Sequence, residues 1–520
     1  MAAASTLNVR DHGATGDGVT RDTASLQATI DACSEAGGGT ILVPVGTYVT
    51  GTIHLKSDTE LHLQAGAVLR GSPDRDDYNA DDVFAENNVF TTEHVSGAHL
   101  VIAYRAERVS ITGQGTIDGG SEQFFEEPTD KEPSSFYRSH SGNQKIKDWR
   151  PGQMVFFCCC QAVAVRDVAL LNAPYWTLFL HGCDDVQIRG LTVINPPETP
   201  NGDGIDIDCC ANVTVSDCIV RSGDDSITLR GNTRRLGVSK PCENVVVTNC
   251  VLSSPCNAIR VGVGDGVIRD CRFTNIVITD SRTGISMVCR YSDRVPHGTT
   301  IENVHFSNVT MDTALPLQVI VGVGAAPEAG IRNVSFSNFR VRAQAGFYIG
   351  GNPELPIRHV RFSNWDLNLN GGTDNCELVN AVPYPYSIFG HPGTADRPAL
   401  PSAIHGTYLE GMTLSDFRVR WDDDLSPVWK DGLVFEHVSG LALDRLDLRQ
   451  PTSSAGTAVR CRDCKDLSLT SSHAAAGTTT FLKVEQSPPG AKVHCIGNDM
   501  TGAGQAWETD TAVRQTGNLL

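Results

Sequence analysis

The sequence predicts an all-β chain folded as a right-handed parallel β-helix, a solenoid with a capping helix at its N-terminal end. Three observations indicate this fold class: a short phrase that recurs along the chain, alternation of apolar and polar residues inside each phrase, and an asparagine or aspartate near the middle of most phrases. Alternation with a period of two is typical of a strand. A repeat of about 20–50 residues along a chain is typical of a solenoid.

The recurring phrases place an apolar residue at every second position. They cover residues 162–170, 185–193, 212–220, 244–252, 303–311, 333–341, 359–367, 411–419 and 440–448. The polar residue near the middle, such as Asp217, Asn249 or Asn308, falls where the strand has to turn. Asparagine and aspartate tolerate the left-handed backbone of such a corner, and stacked asparagines form ladders of amide hydrogen bonds.

The expected capping helix covers residues 23–36. Leu26, Ile30 and Cys33 share one face of it, Asp22 precedes it as a plausible N-cap, and three glycines follow as a stop. Because the open end of a stack of strands needs a cover, we interpret this helix as the cap.

A repeat architecture can run long as one core. We therefore expect a single β-helix domain over 1–475, with the cap at about 7–50 and the catalytic coils at about 150–300. Residues 476–520 turn small and polar and are expected to form a last irregular coil and a tail.

Two stretches, 119–151 and 368–402, break the repeat and are rich in proline, glycine and charge. Long loops on a rigid scaffold usually carry specificity. We expect these two to wall a groove and to close one end of it, which favours exo action on oligosaccharides.

The composition argues against some classes of binding partner. With 42 basic and 60 acidic residues the net charge is −18, which argues against nucleic acid and anionic membranes as partners. No apolar run reaches the ~18 residues of a membrane span, and the start shows no signal peptide. We expect a cytoplasmic protein, or a secreted one if its N-terminus was trimmed. The oligomeric state is not predicted.

The 17 cysteines are expected to be small buried apolar side chains in a reducing compartment. Cys461 and Cys464 form a lone Cys-x-x-Cys pair without the partners that a zinc site needs. No metal and no cofactor are expected.

The most informative feature is a group of aspartates, Asp203, Asp206, Asp224 and Asp225. Asp203 and Asp224 are 224 − 203 = 21 residues apart, about one coil. Since strands in neighbouring coils lie about 4.8 Å apart, the carboxylates should converge. Crowded carboxylates cannot all ionise cheaply, so one should hold a proton near neutrality. That is the requirement for acid/base cleavage of a glycosidic bond; a turn or a calcium site is the alternative.

These residues resemble glycoside hydrolase family 28, the polygalacturonase and rhamnogalacturonase family, over residues of about 7–450. The most specific match is Asn201-Gly-Asp203-Gly-Ile-Asp206 followed by Gly223-Asp224-Asp225, and the supporting matches lie at 7–23, 37–48, 113–119 and 175–177. The resemblance implies that Asp224 is the general acid and that Asp203 and Asp225 activate the water. Asp206 would be a supporting carboxylate. Inversion of configuration follows if the carboxyl groups are separated by about 6.5–9.5 Å.

The departures from the family concern the substrate. Asn257 stands where the family has a histidine, and Ser286-Met287-Val288 replaces the Arg-Ile-Lys that grips a galacturonate carboxylate. A pocket without that arginine and lysine has little reason to prefer a uronic acid. We therefore expect a neutral sugar at the cleaved bond.

Several residues are candidates for substrate binding. They are Asn201, Asp206, Arg230, Arg260, Trp176 and His181, with Arg282, Arg290, His405 and Tyr408 as weaker candidates. Arg230 takes the place of a lysine common in the family. Trp176 can stack on a sugar face, or pack in the core. His181, which precedes Asn201 by about one coil, can supply an imidazole, or sit in a turn.

The sequence is thus interpreted as an inverting glycoside hydrolase that acts on a plant or microbial oligosaccharide or polysaccharide. Carbohydrate is the expected partner. Two alternatives stay open: a β-helix lyase, epimerase or glycosyl transferase that uses the same acids differently, and a carbohydrate-binding β-helix without catalysis.

Overall fold

The computed structural model describes most of the chain. The described residues are 5–79, 84–87, 93–126, 145–290, 297–322, 324–370, 402–423, 425, 429–451 and 455–520. They divide into two units, Met1–Arg260 with Gly266–Cys271, and Val261–Asp265 with Arg272–Leu520, and each unit is considered by itself.

The first unit contains the predicted helix near its N-terminal end, α1 (Thr23–Glu35), whose Leu26 and Ile30 are buried against the first strands. Asp22 precedes the helix, but its carboxylate makes no bond to the helix end. It accepts instead from the backbone N–H groups of Thr15 and Gly16, at 2.7 and 3.0 Å. These donors belong to the turn before the helix, so Asp22 fixes that turn.

Twenty-one strands and a short second helix make up the rest of the first unit. The strands are β1 (Ser5–Asn8), β2 (Asp17–Arg21), β3 (Gly39–Val43), β4 (Gly46–Thr50), β5 (Ile53–Leu55), β6 (Thr59–Leu63), β7 (Ala67–Gly71), β8 (Val101–Tyr104), β9 (Glu107–Gly113), β10 (Thr116–Asp118), β11 (Val155–Cys158), β12 (Gln161–Arg166), β13 (Ala169–Leu171), β14 (Leu178–His181), β15 (Asp184–Arg189), β16 (Thr192–Ile194), β17 (Ile205–Asp208), β18 (Ala211–Ser216), β19 (Ile219–Arg221), β20 (Ile227–Gly231) and β21 (Cys242–Ser253); the helix is α2 (Thr233–Leu236).

Each of these strands pairs in parallel with its counterpart on the next coil. The chain β8–β11–β14–β17–β20 forms one face, and β9–β12–β15–β18–β21 forms another. Residues at alternate positions point inward and stack, as Leu180, Ile207 and Leu229 do, all fully buried. This is a parallel β-helix with apolar columns inside.

The strands β22 (Asn257–Gly264) and β23 (Val267–Val288) carry the chain from the first unit into the second. The second unit continues with β24 (Thr300–Ile320), β25 (Gly330–Ala343), β26 (Phe347–Gly350), β27 (Ile357–Leu369), β28 (Ser402–Trp421), β29 (Asp431–Leu448), β30 (Thr457–Arg462), β31 (Lys465–Thr470), β32 (His473–Ala474), β33 (Thr478–Glu485), β34 (Val493–Ile496), β35 (Ala503–Thr509) and β36 (Val513–Thr516). Its described pairings are parallel as well.

The predicted asparagine corners are present in the second unit. Asn308, Asn338 and Asn364 have φ of +55, +60 and +54°. Each side-chain amide donates to the asparagine one coil earlier: Asn308 to Asn275 at 3.1 Å, Asn338 to Asn308 at 2.9 Å and Asn364 to Asn338 at 2.8 Å. The polar residue at each corner therefore has both the backbone and the ladder that the repeat predicted.

The irregular coil expected over 476–520 differs from the structure. Four strands, β33 to β36, stack there in parallel on the preceding coils. Leu482, Val484, Val493 and Cys495 are buried at alternate positions. The alternation was present in the sequence, but threonine, serine and glycine around it suggested loop. The boundary between 1–475 and 476–520 stays a prediction.

Most of the two long loops lies outside the described residues, so their predicted role at a groove stays a prediction. Among the described cysteines none forms a disulfide, and all but Cys159 are buried. No helix in the described part of the chain has the length and apolar character needed to span a membrane.

Candidate active site

The candidate site lies in the first unit, on the outer face of the sheet β8–β11–β14–β17–β20. The segment Ile205-Asp206-Ile207-Asp208 forms β17, with its isoleucines in the core and its aspartates on the outer face. Phe179 and His181 precede these aspartates on β14, and Thr228 and Arg230 follow them on β20. The period-two alternation thus presents polar side chains on a rigid surface.

Arg230 joins two of the predicted acids. Its Nη2 lies 2.8 Å from Asp203 Oδ2, and its Nε lies 2.7 Å from Asp206 Oδ1. All three side chains are at least nine-tenths buried. Two donors on one planar guanidinium hold two carboxylates in a fixed relation.

Asp225 is held by a second set of donors. Asn257 Nδ2 donates to Asp225 Oδ1 at 2.6 Å, and Arg260 Nη1 donates to Asp225 Oδ2 at 2.9 Å. Although burial favours the neutral acid, these contacts and the nearby charge of Arg230 outweigh it and hold the pKa of Asp225 below its ordinary value. Asp225 is therefore a carboxylate at neutral pH.

Asp203 has the opposite electrostatic environment. Burial raises the pKa of Asp203 well above its ordinary value, and the charges of the neighbouring carboxylates raise it further against the effect of Arg230. Burial likewise raises the pKa of Asp206, to about 6, against the opposing effect of Arg230. Of these carboxyls, Asp203 is the one that its surroundings drive most strongly to hold a proton.

Asp224 is the most accessible of these carboxyls. Its exposed fraction is 8%, compared with 3% for Asp203 and 1% for Asp225. Its backbone carbonyl accepts from Ser222 Oγ at 2.6 Å and from Ser254 Oγ. The turn that carries Asp224 is thus fixed by hydroxyls from its own coil and from the next one.

The coil at the acids is longer by one position than the spacing of Asp203 and Asp224 predicted. In the register of β17 with β20, Asp206 faces Thr228. The same offset places Asp203 opposite Asp225, not opposite Asp224. In agreement with this register, the backbone N–H of Gly204 donates to the carbonyl of Asp225 at 2.8 Å. The acids still converge, as the sequence predicted.

His181 is not where the sequence placed it. It lies one coil before Asp208, and not one coil before Asn201, because the segment ahead of β17 lengthens that coil. Its Nδ1 lies 3.2 Å from Asp208 Oδ2, and the residue is 1% exposed. Asn232 donates its backbone N–H and its Nδ2 to Asp208, both at 2.8 Å. Although burial favours the neutral acid, His181 and these donors hold the pKa of Asp208 below its ordinary value.

Trp176 packs where a sugar platform was expected. The guanidinium carbon of Arg230 lies 4.1 Å from the centroid of its ring, and the ring stacks on Tyr175 at 5.0 Å. Only 3% of the residue is exposed. The indole therefore supports Arg230 and leaves little ring surface for a sugar.

Arg150 is a site residue for which the sequence contained no signal. It is fully buried and donates to three backbone carbonyls, those of Pro174, Pro200 and Glu93, at 3.0, 2.5 and 2.9 Å. Its Nη2 also donates to Asn201 Oδ1 at 3.1 Å. Burial lowers the pKa of Arg150 to about 10, so the guanidinium remains charged at neutral pH. The side-chain oxygen of Asn201, a residue predicted to bind substrate, therefore accepts a hydrogen bond from Arg150.

Asn257 and Ser286 stand where the sequence departs from the family pattern, and both bond to other side chains of the protein. Asn257 occupies the coil after the acids and binds Asp225, which the sequence did not predict. Ser286 accepts from Gln318 Nε2 at 2.7 Å within the second unit. His405, a weaker candidate, lies in the same unit with its Nε2 at 3.2 Å from Glu436 Oε2.

By its fold the chain belongs to the class of right-handed parallel β-helix proteins. The model of the family "Glycosyl hydrolases family 28" matches residues 33–240. The chain is 28% identical to a probable polygalacturonase of Vitis vinifera over 58% of its own length and 60% of that protein. It is 21% identical to an exopolygalacturonase of Platanus acerifolia over 66% and 93%. Over residues 33–240 the chain is thus similar to glycosyl hydrolases family 28, at low identity to the relatives it matches.

The solved structures agree on the fold. A hyperthermoactive exopolygalacturonase from Thermotoga maritima superimposes with a TM-score of 0.58 at 24% identity, over 71% of this chain and 88% of that chain. The predicted fold class, an all-β right-handed parallel β-helix with an N-terminal capping helix, is confirmed.

Proposed function

We propose that this protein hydrolyses a glycosidic bond by a single displacement at Asp203, Asp224 and Asp225. The observation that carries the proposal is the contrast between neighbouring carboxyls. Asp225 is ionised by Arg260 and Asn257, while Asp224 is the most accessible carboxyl beside it. A general base and a general acid on one rigid face are what glycoside hydrolysis needs.

In the proposed step Asp224 donates its proton to the leaving glycosidic oxygen as the bond to the anomeric carbon breaks. A water attacks that carbon from the opposite face, and its proton passes to Asp225. Asp203 orients this water from the neighbouring coil. The products are a free sugar of inverted configuration and a shortened glycan, and solvent returns the proton from Asp225 to Asp224. One carboxylate oxygen of Asp224 and one of Asp225 lie within 4.8 Å of each other, which is shorter than the separation of about 6.5–9.5 Å expected for an inverting pair. The proposal of inversion therefore rests on Asp225 being held by Arg260 and Asn257, so that it takes a proton from water and does not attack the sugar.

We further propose that the sugar at the cleaved bond is neutral. Arg230 and Arg260, the cations nearest the acids, already pair with Asp203, Asp206 and Asp225. Neither is therefore placed to grip a sugar carboxylate as an additional partner. The names of the relatives point to galacturonan, so the substrate has to be decided by experiment.

Exo action is supported by residues that pack beside β8, on the N-terminal side of the acids. Phe84 stacks on Tyr104 of β8 at 4.2 Å, and Glu86 pairs with Arg105 at 2.9 Å. Glu93 accepts from the Tyr175 hydroxyl on the same side. A glycan running toward β8 would meet these residues, so we propose that it enters from one end and is shortened by its terminal unit.

The test uses Asp224→Asn with Asp217→Asn as the matched control, because Asp217 is an exposed corner residue. Both are assayed on neutral and uronic p-nitrophenyl glycosides and on oligosaccharides, including oligogalacturonides. We expect the parent and Asp217→Asn to release reducing sugar from a neutral glycan, and Asp224→Asn to lose at least about 100-fold in kcat.

Full activity of Asp224→Asn would contradict the proposed role of this residue. An unsaturated product that absorbs in the ultraviolet would indicate a lyase instead. If the parent turns over none of these glycans, the chain is a binding module. A preference for oligogalacturonide would overturn the neutral sugar and leave the hydrolase in place.

A further inference from the structure

A thiol lies among the acids, and hydrolysis has no use for it. Cys256 is 3% exposed and directly precedes β22. Its Sγ and one carboxylate oxygen each of Asp224 and Asp225 all lie within 4.8 Å of one another. No other group of this kind occurs in the described part of the chain.

The ligand types favour one class of ion. Calcium and magnesium take oxygen ligands almost exclusively, whereas zinc and cadmium take thiolate together with carboxylate. Around one zinc ion such ligand atoms are about 3.5 Å apart, given bonds of about 2.0–2.3 Å. The three ligand atoms would therefore have to move about 1 Å closer to one another, which rotation about the side-chain bonds can provide.

The charge of the pocket favours a cation. Three aspartates, Asp203, Asp206 and Asp225, pair with the two guanidiniums of Arg230 and Arg260. A buried carboxylate is costly without a compensating positive charge. A divalent cation that takes the place of the Asp224 proton would supply that charge.

The side chain of Asn257, which contacts the same cluster, carries an unsatisfied acceptor. Asn257 is 4% exposed, and its Nδ2 donates to both Asp225 Oδ1 and Cys256 Sγ, at 2.6 and 3.2 Å. Its Oδ1 is buried and receives no hydrogen bond from the described residues. Buried polar atoms without a partner are costly. A water bound to a cation at the cluster would supply the missing donor.

We propose that Cys256, Asp224 and Asp225 form a site for one borderline divalent cation of the zinc and cadmium class. On binding, the ion replaces the thiol proton and the proton held by Asp224, both of which are released to solvent, and the remaining coordination positions are filled by water. Because the ion occupies Asp224, the enzyme with metal bound cannot protonate a leaving group. This inhibitory consequence rests on the proposed function, whereas the binding itself does not.

The test titrates the chelator-treated protein with Cd²⁺ and follows the near-ultraviolet charge-transfer band between cadmium and thiolate. Zn²⁺ affinity is measured by calorimetry on the same samples. The variants are Cys256→Ser, Cys256→Ala and Asp224→Asn, with Cys159→Ser as the matched control, because Cys159 is the most accessible described thiol. Circular dichroism and the Tm of each variant establish that it is folded.

We expect the parent and Cys159→Ser each to bind one equivalent of cation that neither Cys256 variant binds. Asp224→Asn should keep the thiolate band but bind at least about 10-fold more weakly. Zn²⁺ should inhibit hydrolysis by the parent reversibly and leave the rate of Cys256→Ser unchanged from its own rate without metal. Equal stoichiometry and affinity in the parent and in folded Cys256 variants would overturn the site. Hydrolysis without such binding refutes this inference alone, and binding without hydrolysis refutes only the proposed function.

Discussion

At the scale of single residues, the site shows how one side-chain type acquires different chemistry. Asp203 and Asp225 belong to neighbouring coils, yet burial and like charges raise the pKa of Asp203, while Arg260 and Asn257 keep the pKa of Asp225 low. In the proposed step the ionised Asp225 takes the proton of the attacking water, while Asp203, which its surroundings drive to keep a proton, only orients that water. The sequence predicted that one carboxyl would hold a proton, but which one depends on donors that lie one coil away.

The raised pKa of Asp206 and the lowered pKa of Asp225 predict that pH changes the stability of the protein in opposite directions through these two groups. The folded pKa of Asp206 is about 6, above the ordinary value of 3.8. Its contribution to stability is therefore present below about pH 4 and lost as the pH rises through about 6, a change of about 3 kcal/mol. We therefore expect the Tm, measured by thermal melts, to fall less between pH 4 and pH 7 in Asp206→Asn than in the parent.

Asp225→Asn is the contrasting variant. Because the folded pKa of Asp225 is lowered, its contribution is present above the ordinary pKa and lost as the pH falls. We expect Asp225→Asn to reduce the Tm at pH 7 and to have a smaller effect near pH 3. Parallel pH profiles for the two variants would show that the environments of Asp206 and Asp225 are wrongly assigned.

Arg150 gives a prediction about positioning. Lysine keeps the charge but cannot span the carbonyls of Pro174, Pro200 and Glu93 together with Asn201. We expect Arg150→Lys to displace the segment that leads to Asp203 and to lower kcat about 10- to 100-fold with a smaller change in KM. The control is Arg189→Lys, whose side chain is 70% exposed. Parental kcat in Arg150→Lys would exclude a positioning role.

At the scale of elements, the corner asparagines connect sequence to fold most directly. Asn338 combines a left-handed backbone, with φ of +60°, and amide bonds to Asn308 and Asn364. The sequence revealed these corners because asparagine recurs at the same point of successive phrases. It did not reveal the lengths of the coils around the acids, because those lengths depend on loops that carry no repeat.

The two roles of a corner asparagine can be separated by substitution. Asn338→Gly keeps the backbone conformation and removes the amide bonds, at a cost of about 1–2 kcal/mol. Asn338→Ala removes the bonds and adds about 1–2 kcal/mol of left-handed strain. We therefore expect urea denaturation to rank the parent as most stable, the glycine variant next and the alanine variant last. An alanine variant as stable as the glycine variant would contradict the strained corner.

At the scale of the whole molecule, charge bears on the substrate. The net charge of −18 repels polyanions over a distance of about one Debye length, ~10 Å at 0.1 M salt. We expect the KM for an acidic oligosaccharide to fall as salt is raised from about 0.01 to 0.2 M, and the KM for a neutral one to stay constant. Steady-state kinetics on both glycans checks this. A KM for the acidic glycan that rises with salt would show that local cations dominate.

The fold and the set of acids were predictable from the sequence, because the alternation of apolar and polar residues, the corner asparagines and the aspartates are all local signals. The role of Arg150 was not predictable, since nothing local marks an arginine whose acceptors come from three separate segments. From the sequence, Trp176, Arg230 and Arg260 were also predicted to bind substrate, whereas their contacts are with one another and with the acids. Distinguishing those uses requires the distances between coils.

In the proposed mechanism Asp203, Asp224 and Asp225 cleave a glycosidic bond in one displacement by water. Proton NMR of the first sugar released, recorded before its anomers equilibrate, tests this most directly on a glycan that the parent hydrolyses. A single displacement gives a product whose anomeric configuration is inverted relative to the substrate. A product of retained configuration would require a covalent intermediate and would contradict a single displacement.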